Sequence, residues 1–118
     1  MYHHDLKYEL SKSLAKFDVV TYWTWNAREL ETLDHDFSEA ERAAPNAKKV
    51  LGCYMWDFGA KQEMPITLMQ KQCEMGLTWL RNGRIDGIIF GITNLCDLNL
   101  EAVSWTRKWI DKVGEEEL

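Results

Sequence analysis

Apolar residues recur along this chain with two alternating spacings, one typical of strands and one typical of helices. Three compact runs, residues 18–25, 50–57 and 86–93, are dense in β-branched, aromatic and aliphatic side chains and predict strands. Four longer segments carry apolar residues three or four positions apart and predict helices. Their stripes are Leu6, Leu10, Leu14 and Phe17; Leu30, Leu33, Phe37, Ala40 and Ala44; Ile66, Met69, Cys73, Gly76 and Leu80; and Leu98, Ala102, Trp105, Trp109 and Val113.

Residues that begin and end helices agree with this division. Asn26 with Glu29 has the spacing of a capping box, and Pro65 suits the first position of a helix. Pro45–Asn46 and Asn82–Gly83 end the second and third helices. Strands that alternate with helices of this length pair in parallel through right-handed crossovers. The chain is therefore predicted to be an α/β protein, with three parallel βα units preceded by a helix.

The length and charge of the chain limit the size of its fold and the classes of partner that it can bind. With 118 residues the chain is one domain, residues 1–118, and is well short of the about 250 residues of an eight-stranded barrel. A net charge of −5 without a basic block disfavours nucleic-acid binding. No apolar run is long enough for a membrane span, and the three cysteines form no C-x-x-C pair. A cytoplasmic location is the default expectation, although a longer parent protein could be exported.

Aromatic and polar residues follow the predicted strands at the end where α/β proteins place their functional groups. Asp57 is the catalytic candidate, since a buried strand delivers it together with an aromatic residue. Six tryptophans in so short a chain suggest either a very aromatic core or a surface that stacks on flat ligands such as sugar rings. The substrate-binding candidates are Trp23, Trp25, Trp56, Lys61, Glu63 and Asn94.

Each candidate also has a purely structural interpretation. A tryptophan at the end of a strand can plug the core, and Asp57 can cap a loop by accepting backbone N–H bonds. Trp105 and Trp109 lie on a helical stripe and Trp79 belongs to a predicted helix, so all three are expected in the core or in an interface. His35 with its two flanking aspartates is expected to be solvated, because adjacent helical residues do not converge. No metal site or cofactor motif is predicted.

Several of these segments resemble one family. The runs WTWNARELETLDHDF, VLGCYMWDFG, MPITLMQKQCEMGLTWLRNGRIDGIIFG and LEAVSWTRKWI are similar to the carboxy-terminal part of uncharacterised (β/α)8-barrel proteins that resemble glycoside hydrolases. The resemblance covers the chain from about residue 18 onward, and residues 51–59 are its most distinctive motif. It implies that the three strands correspond to the last three of a TIM barrel.

The resemblance implies a role for Asp57 as well. In retaining hydrolases of this architecture the nucleophile is a carboxylate at the end of the seventh strand, where this chain has Asp57 instead of the commoner Glu. The acid/base on the fourth strand has no counterpart here. Hydrolysis needs two carboxyl groups, so the chain alone is expected to bind carbohydrate without turnover.

A slice of a barrel would leave one face of its sheet uncovered. We therefore expect a homo-oligomer, or a companion chain that supplies the missing strands. The alternative function is a non-enzymatic α/β module whose aromatic face mediates self-association or protein binding. A third interpretation, a doubly wound domain that binds a phosphate ligand, is weaker because NARE after the first strand contains no glycine.

Overall fold

A computed structural model describes residues 1–91 and 100–115 of the chain. Four α-helices lie in this part: α1 (Ser11–Leu14), α2 (Leu33–Ala43), α3 (Ile66–Arg81) and α4 (Glu101–Val113). The strands are β1 (Val19–Trp23), β2 (Lys48–Tyr54), β3 (Trp56–Asp57), β4 (Gln62–Glu63) and β5 (Gly87–Gly91). Two 3₁₀ helices, His3–Lys7 and Ala27–Thr32, precede α1 and α2.

The main sheet contains three parallel strands in the order β1-β2-β5. Each crossover is long enough to carry a helix, which is what parallel neighbours require. Tyr22 of β1 lies beside Leu51 of β2, which lies beside Ile88 of β5. Because neighbours in register share a face of the sheet, these three residues form one apolar row. The predicted α/β class with parallel βα units is confirmed at this level.

All three long helices pack on that one face. Phe37 of α2 contacts the edge of Tyr22, with ring centroids 5.9 Å apart, and stacks on Trp79 of α3 at 4.8 Å. On the far side, Trp109 of α4 meets Phe90 of β5 at 6.2 Å. The core therefore lies between the sheet and a single layer of helices, as expected when consecutive strands are neighbours and every crossover has the same hand.

Two of the three cysteines lie in this core. Cys53 of β2 and Cys73 of α3 are free thiols with no solvent exposure. A hydrogen bond with Cys73, followed by burial, raises the pKa of the Cys53 thiol well above its usual value. Both side chains are fully buried and pack as small apolar groups. Cys96 lies outside the described residues.

The opposite face of the sheet is open. Val19, Thr21 and Trp23 point to it from β1, and Ile89 points to it from β5. Val19 is 49% exposed and Ile89 is 44% exposed. Val19 lies on one outer strand and Ile89 on the other, and no residue within 1–91 and 100–115 buries either side chain.

The first segment is not the single helix predicted from Leu6, Leu10, Leu14 and Phe17. It contains a 3₁₀ helix, an extended residue at Tyr8 and the short α1, and it leaves Phe17 59% exposed. Pairing with β1 provides the physical reason. The backbone N–H of Trp23 donates to the carbonyl of Met1 at 2.8 Å, so the start of the chain runs beside the sheet.

Two other boundaries differ from the prediction. The strand predicted over residues 50–57 ends at Tyr54, and Trp56–Asp57 turns away to pair antiparallel with Gln62–Glu63. The expected polar loop is therefore a small hairpin. The helix predicted to start after Asn26 begins as a 3₁₀ turn and becomes α-helical only at Leu33.

Candidate functional site

An aromatic cluster occupies the carboxyl-terminal end of β1 and β2. It consists of Tyr2, Trp23, Trp25, Tyr54 and Phe58. Trp23 and Tyr54 are the last residues of their strands, with centroids 4.6 Å apart. Phe58 stacks on Trp25 at 4.8 Å and meets the edge of Tyr54 at the same distance. The structure therefore brings two of the predicted tryptophans, Trp23 and Trp25, into one cluster.

The two tryptophans differ in how much solvent they meet. Trp23 lies across the neighbouring strand, where a Cβ added at Gly52 would come within 2.0 Å of its indole ring. Its Nε1 donates to Thr21 Oγ1 at 3.1 Å, so Trp23 mainly covers the sheet. Trp25 is 38% exposed and stands at the rim. Trp25 is therefore the more exposed of the two tryptophans and the one that a ligand would reach more readily.

Two tyrosines join the cluster through their hydroxyl groups. Tyr2 Oη and Tyr54 Oη lie 3.0 Å apart. Burial, followed by this hydrogen bond, raises the pKa of Tyr54 above its usual value. The phenol therefore keeps its proton at neutral pH and remains available as a donor.

Asp57 lies behind this cluster and joins two loops. Its side chain is 4% exposed, and its Oδ1 accepts the backbone N–H of Ala27 at 3.1 Å and of Ala60 at 3.2 Å. One oxygen thus caps the second 3₁₀ helix and also closes the turn of the hairpin. No residue in the described part of the chain donates a hydrogen bond to Oδ2. The carboxylate therefore has a structural role through Oδ1, and Oδ2 has no donor among residues 1–91 and 100–115.

Asn26 does not act as the predicted capping-box residue. Its Nδ2 donates to Glu29 Oε1 at 3.0 Å, and no backbone N–H in the described part of the chain donates to its side chain. Asp57 supplies the cap oxygen instead, from a position 30 residues further along the chain. Gly59 is required beside it, because a Cβ at that position would lie 1.3 Å from Asn26 Oδ1.

A polar cleft of about 330 Å³ opens next to Asp57, and we call it the Asp57 cleft. It lies at the junction of the second 3₁₀ helix with the hairpin. The Gly59 N–H donates to the Trp25 carbonyl at 3.0 Å, which ties the cleft to the rim of the aromatic cluster. The lining residues are Asn26, Arg28, Asp57, Gly59, Ala60 and Gln62.

The remaining predicted site residues lie elsewhere. Trp56 is half-buried and packs against the core, and it pairs with Glu63 across the hairpin. Glu63 and Lys61 are exposed, and Lys61 adopts a left-handed φ of 55° at the turn. None of these three lines the Asp57 cleft. Asn94 lies outside the described residues.

Several residues of the site were not predicted. Tyr54 shares the face of Gly52 two positions earlier, so strand periodicity could have identified it. Arg28 and Gln62 follow no pattern that would mark them, because they meet only through the fold. Tyr2 is brought in by the pairing of the amino-terminal segment with β1.

The described residues were also compared with the geometry of metal sites and of membrane-spanning helices. Among the residues that the structure describes, no three His, Cys, Asp or Glu side chains are arranged to hold a metal ion. In the same part of the chain, no helix is both long enough and apolar enough to cross a bilayer.

Comparisons with protein-family models, with curated proteins and with solved structures find no significant match.

Proposed function

We propose that this chain binds carbohydrate at the carboxyl-terminal edge of its sheet, as part of a glycoside-hydrolase-like barrel. The observation that carries the proposal is the exposed Trp25 ring, stacked on Phe58 at 4.8 Å and adjoining a cleft with a buried carboxylate. Sugar rings have an apolar face and a polar edge. A flat aromatic surface beside hydrogen-bonding groups is complementary to both.

The chain by itself is proposed to lack turnover. Hydrolysis of a glycosidic bond uses two carboxyl groups about 5–5.5 Å apart in retaining enzymes, or about 6.5–9.5 Å apart in inverting enzymes. Asp57 is the catalytic candidate, and in a complete barrel its free Oδ2 would be the attacking atom. The second carboxylate would have to come from strands of another chain. Assays with aryl glycosides should therefore give no product.

Sugar binding can be tested by titration calorimetry with cellohexaose, xylohexaose and maltohexaose. We expect measurable binding of at least one of them, and Trp25→Ala should weaken it by about tenfold or more, which corresponds to about 1.4 kcal/mol. Trp105→Ala is the matched control, since Trp105 lies on α4 in a groove far along the chain from Trp25. Equal affinities for the wild type and Trp25→Ala would contradict the proposal.

A second candidate function is self-association through the open face of the sheet. The observation that favours it is the exposure of Val19 and Ile89 on the two outer strands of that face. Apolar side chains that share an exposed face are typical of surfaces that become covered by another chain.

A further inference from the structure

The two oxygens of the Asp57 carboxylate are in unequal environments. Oδ1 accepts two backbone N–H groups, at 3.1 and 3.2 Å, while no described residue donates to Oδ2. Asp57 is 4% exposed and lines the Asp57 cleft, and its Oδ2 is not among the fully buried, unpartnered polar atoms of the described residues. Oδ2 therefore has acceptor capacity left for a ligand. A hydroxyl group in the Asp57 cleft supplies a donor for it.

Arg28 supplies the complementary group in the same cleft. It is exposed, and within residues 1–91 and 100–115 no carboxylate lies within ion-pair distance of its guanidinium. One N–H of the Asn26 amide already donates to Glu29 Oε1, at 3.0 Å. The cleft therefore offers one free acceptor on Asp57 and free donors on Arg28, with Gln62 able to act as either.

The charges in the cleft indicate the class of ligand. Arg28 and Asp57 are the charged residues among those that line it, and their charges cancel. An anionic sugar would meet the Asp57 carboxylate, which is buried and so poorly screened. A hydroxyl both donates and accepts, so two neighbouring hydroxyls of a neutral sugar satisfy a carboxylate and a guanidinium together.

We propose that the Asp57 cleft binds vicinal hydroxyls of a neutral sugar, with Asp57 Oδ2 as the acceptor and Arg28 as the donor. The inference rests on the proposed carbohydrate binding and adds to it the polar half of the site. Trp25 and Phe58 form the apolar half, since they adjoin Asn26 and Asp57 along the chain.

Two substitutions separate this role of Asp57 from its role as a cap. In Asp57→Asn, the amide oxygen still accepts from Ala27 and Ala60, but an NH2 donor replaces Oδ2. We expect an unchanged thermal midpoint and binding weakened by about tenfold or more. Arg28→Met keeps most of the aliphatic stem and removes the donor, with the same expected loss. Arg42→Met is the matched control, because Arg42 is an exposed arginine near the end of α2.

The outcomes in calorimetry with the three neutral hexasaccharides and with a galacturonate hexamer distinguish the two proposals. Loss of affinity in Asp57→Asn and Arg28→Met, with Arg42→Met unchanged, supports the inference. If Trp25→Ala weakens binding while Asp57→Asn and Arg28→Met bind like the wild type, only the inference fails. Preference for the galacturonate hexamer also overturns it. If no sugar binds the wild type, both proposals fail.

Discussion

At the scale of single residues, Trp23 shows how a glycine on one strand makes room for an aromatic ring on the next. The register places Trp23 beside Gly52, and the indole ring lies where a side chain of Gly52 would stand. The ring therefore covers the middle of the sheet at its carboxyl-terminal end. Tyr54, two positions after Gly52, contacts the rings of Trp23, Trp25 and Phe58.

Substitution of Gly52 tests this packing. Gly52→Ala should lower the free energy of unfolding by about 1–3 kcal/mol, because the added methyl group displaces Trp23. Gly87→Ala is the matched control, since its Cβ would meet only Val50 Cγ2 at 3.9 Å. Urea denaturation gives both values, and near-ultraviolet circular dichroism reports on the indole. A loss for Gly87→Ala as large as that for Gly52→Ala would contradict this role of Trp23.

Ionisation of Tyr22 makes the stability of the fold depend on pH in the alkaline range. Burial, followed by the nearby Asp36, Glu29 and Asp5 carboxylates, raises the pKa of Tyr22 well above its usual value of 10.0. The native state therefore holds this proton more tightly than the unfolded state. Its contribution to stability is complete below pH 10.0 and is lost as the pH rises toward the pKa of the folded protein.

We accordingly expect the free energy of unfolding to fall above about pH 10, with a smaller fall in Tyr22→Phe. Urea denaturation at several alkaline pH values measures this slope. Tyr8→Phe is the control, because Tyr8 is 59% exposed and its removal should leave the slope unchanged. Identical slopes for the wild type and Tyr22→Phe would show that other groups cause the alkaline loss.

At the scale of elements, α2 and α3 are joined around the ring of Trp79. Phe37 of α2 stacks on the Trp79 ring, and the Arg84 guanidinium lies 4.4 Å from the centroid of the same ring. Arg84 also donates to Glu41 at 2.8 Å. The aromatic and ionic contacts together hold the two helices on the same face of the sheet. The sequence predicts Trp79 in the core or in an interface, and the structure buries it in the core.

Trp109 is less buried than Trp79, so the two tryptophans are expected to contribute unequally to the free energy of unfolding. It is half-buried where the stripe on α4 suggested a core or interface residue. Trp79→Ala should therefore reduce stability by about 3–5 kcal/mol, the usual loss for a core aromatic. Trp109→Ala should reduce it by less than about 3 kcal/mol, as is common for single substitutions. A larger loss for Trp109→Ala in urea denaturation would reverse this ranking.

At the scale of the whole molecule, helices cover one face of the sheet and the opposite face is exposed at Val19 and Ile89. A parallel sheet is normally covered on both sides. In a closed barrel this second face would be the interior, filled by side chains from the other strands. The proposals of a homo-oligomer and of a companion chain both follow from this asymmetry.

Light scattering across a dilution series tests self-association. We expect a dimer or larger species for the wild type, and a monomer for the Val19→Lys/Ile89→Lys double variant, because lysines on that face oppose its burial. Ile110→Lys is the control, since Ile110 is an exposed apolar residue on α4. A wild-type monomer at all concentrations would contradict self-association and would favour a companion chain or closure of the face by the chain itself.

Sequence periodicity alone determined much of this fold. The order of β1, β2, β5 and the three long helices, the parallel pairing of these strands and the burial of Leu30, Phe37 and Cys73 all follow from local spacing. The rule that functional groups follow parallel strands also placed Trp25 and Asp57 near each other. These features are predictable because periodicity reports which face of an element meets the core.

Tertiary structure alone decided how the side chains meet. Asp57 caps a helix that begins 30 residues earlier, Trp23 fits over Gly52, and the amino-terminal segment leaves its predicted helix to pair with β1. Arg28 and Gln62 share a cleft only because the hairpin folds back on the second 3₁₀ helix. Spacing within one segment carries no information about such contacts, since they depend on the packing of elements far apart in the chain.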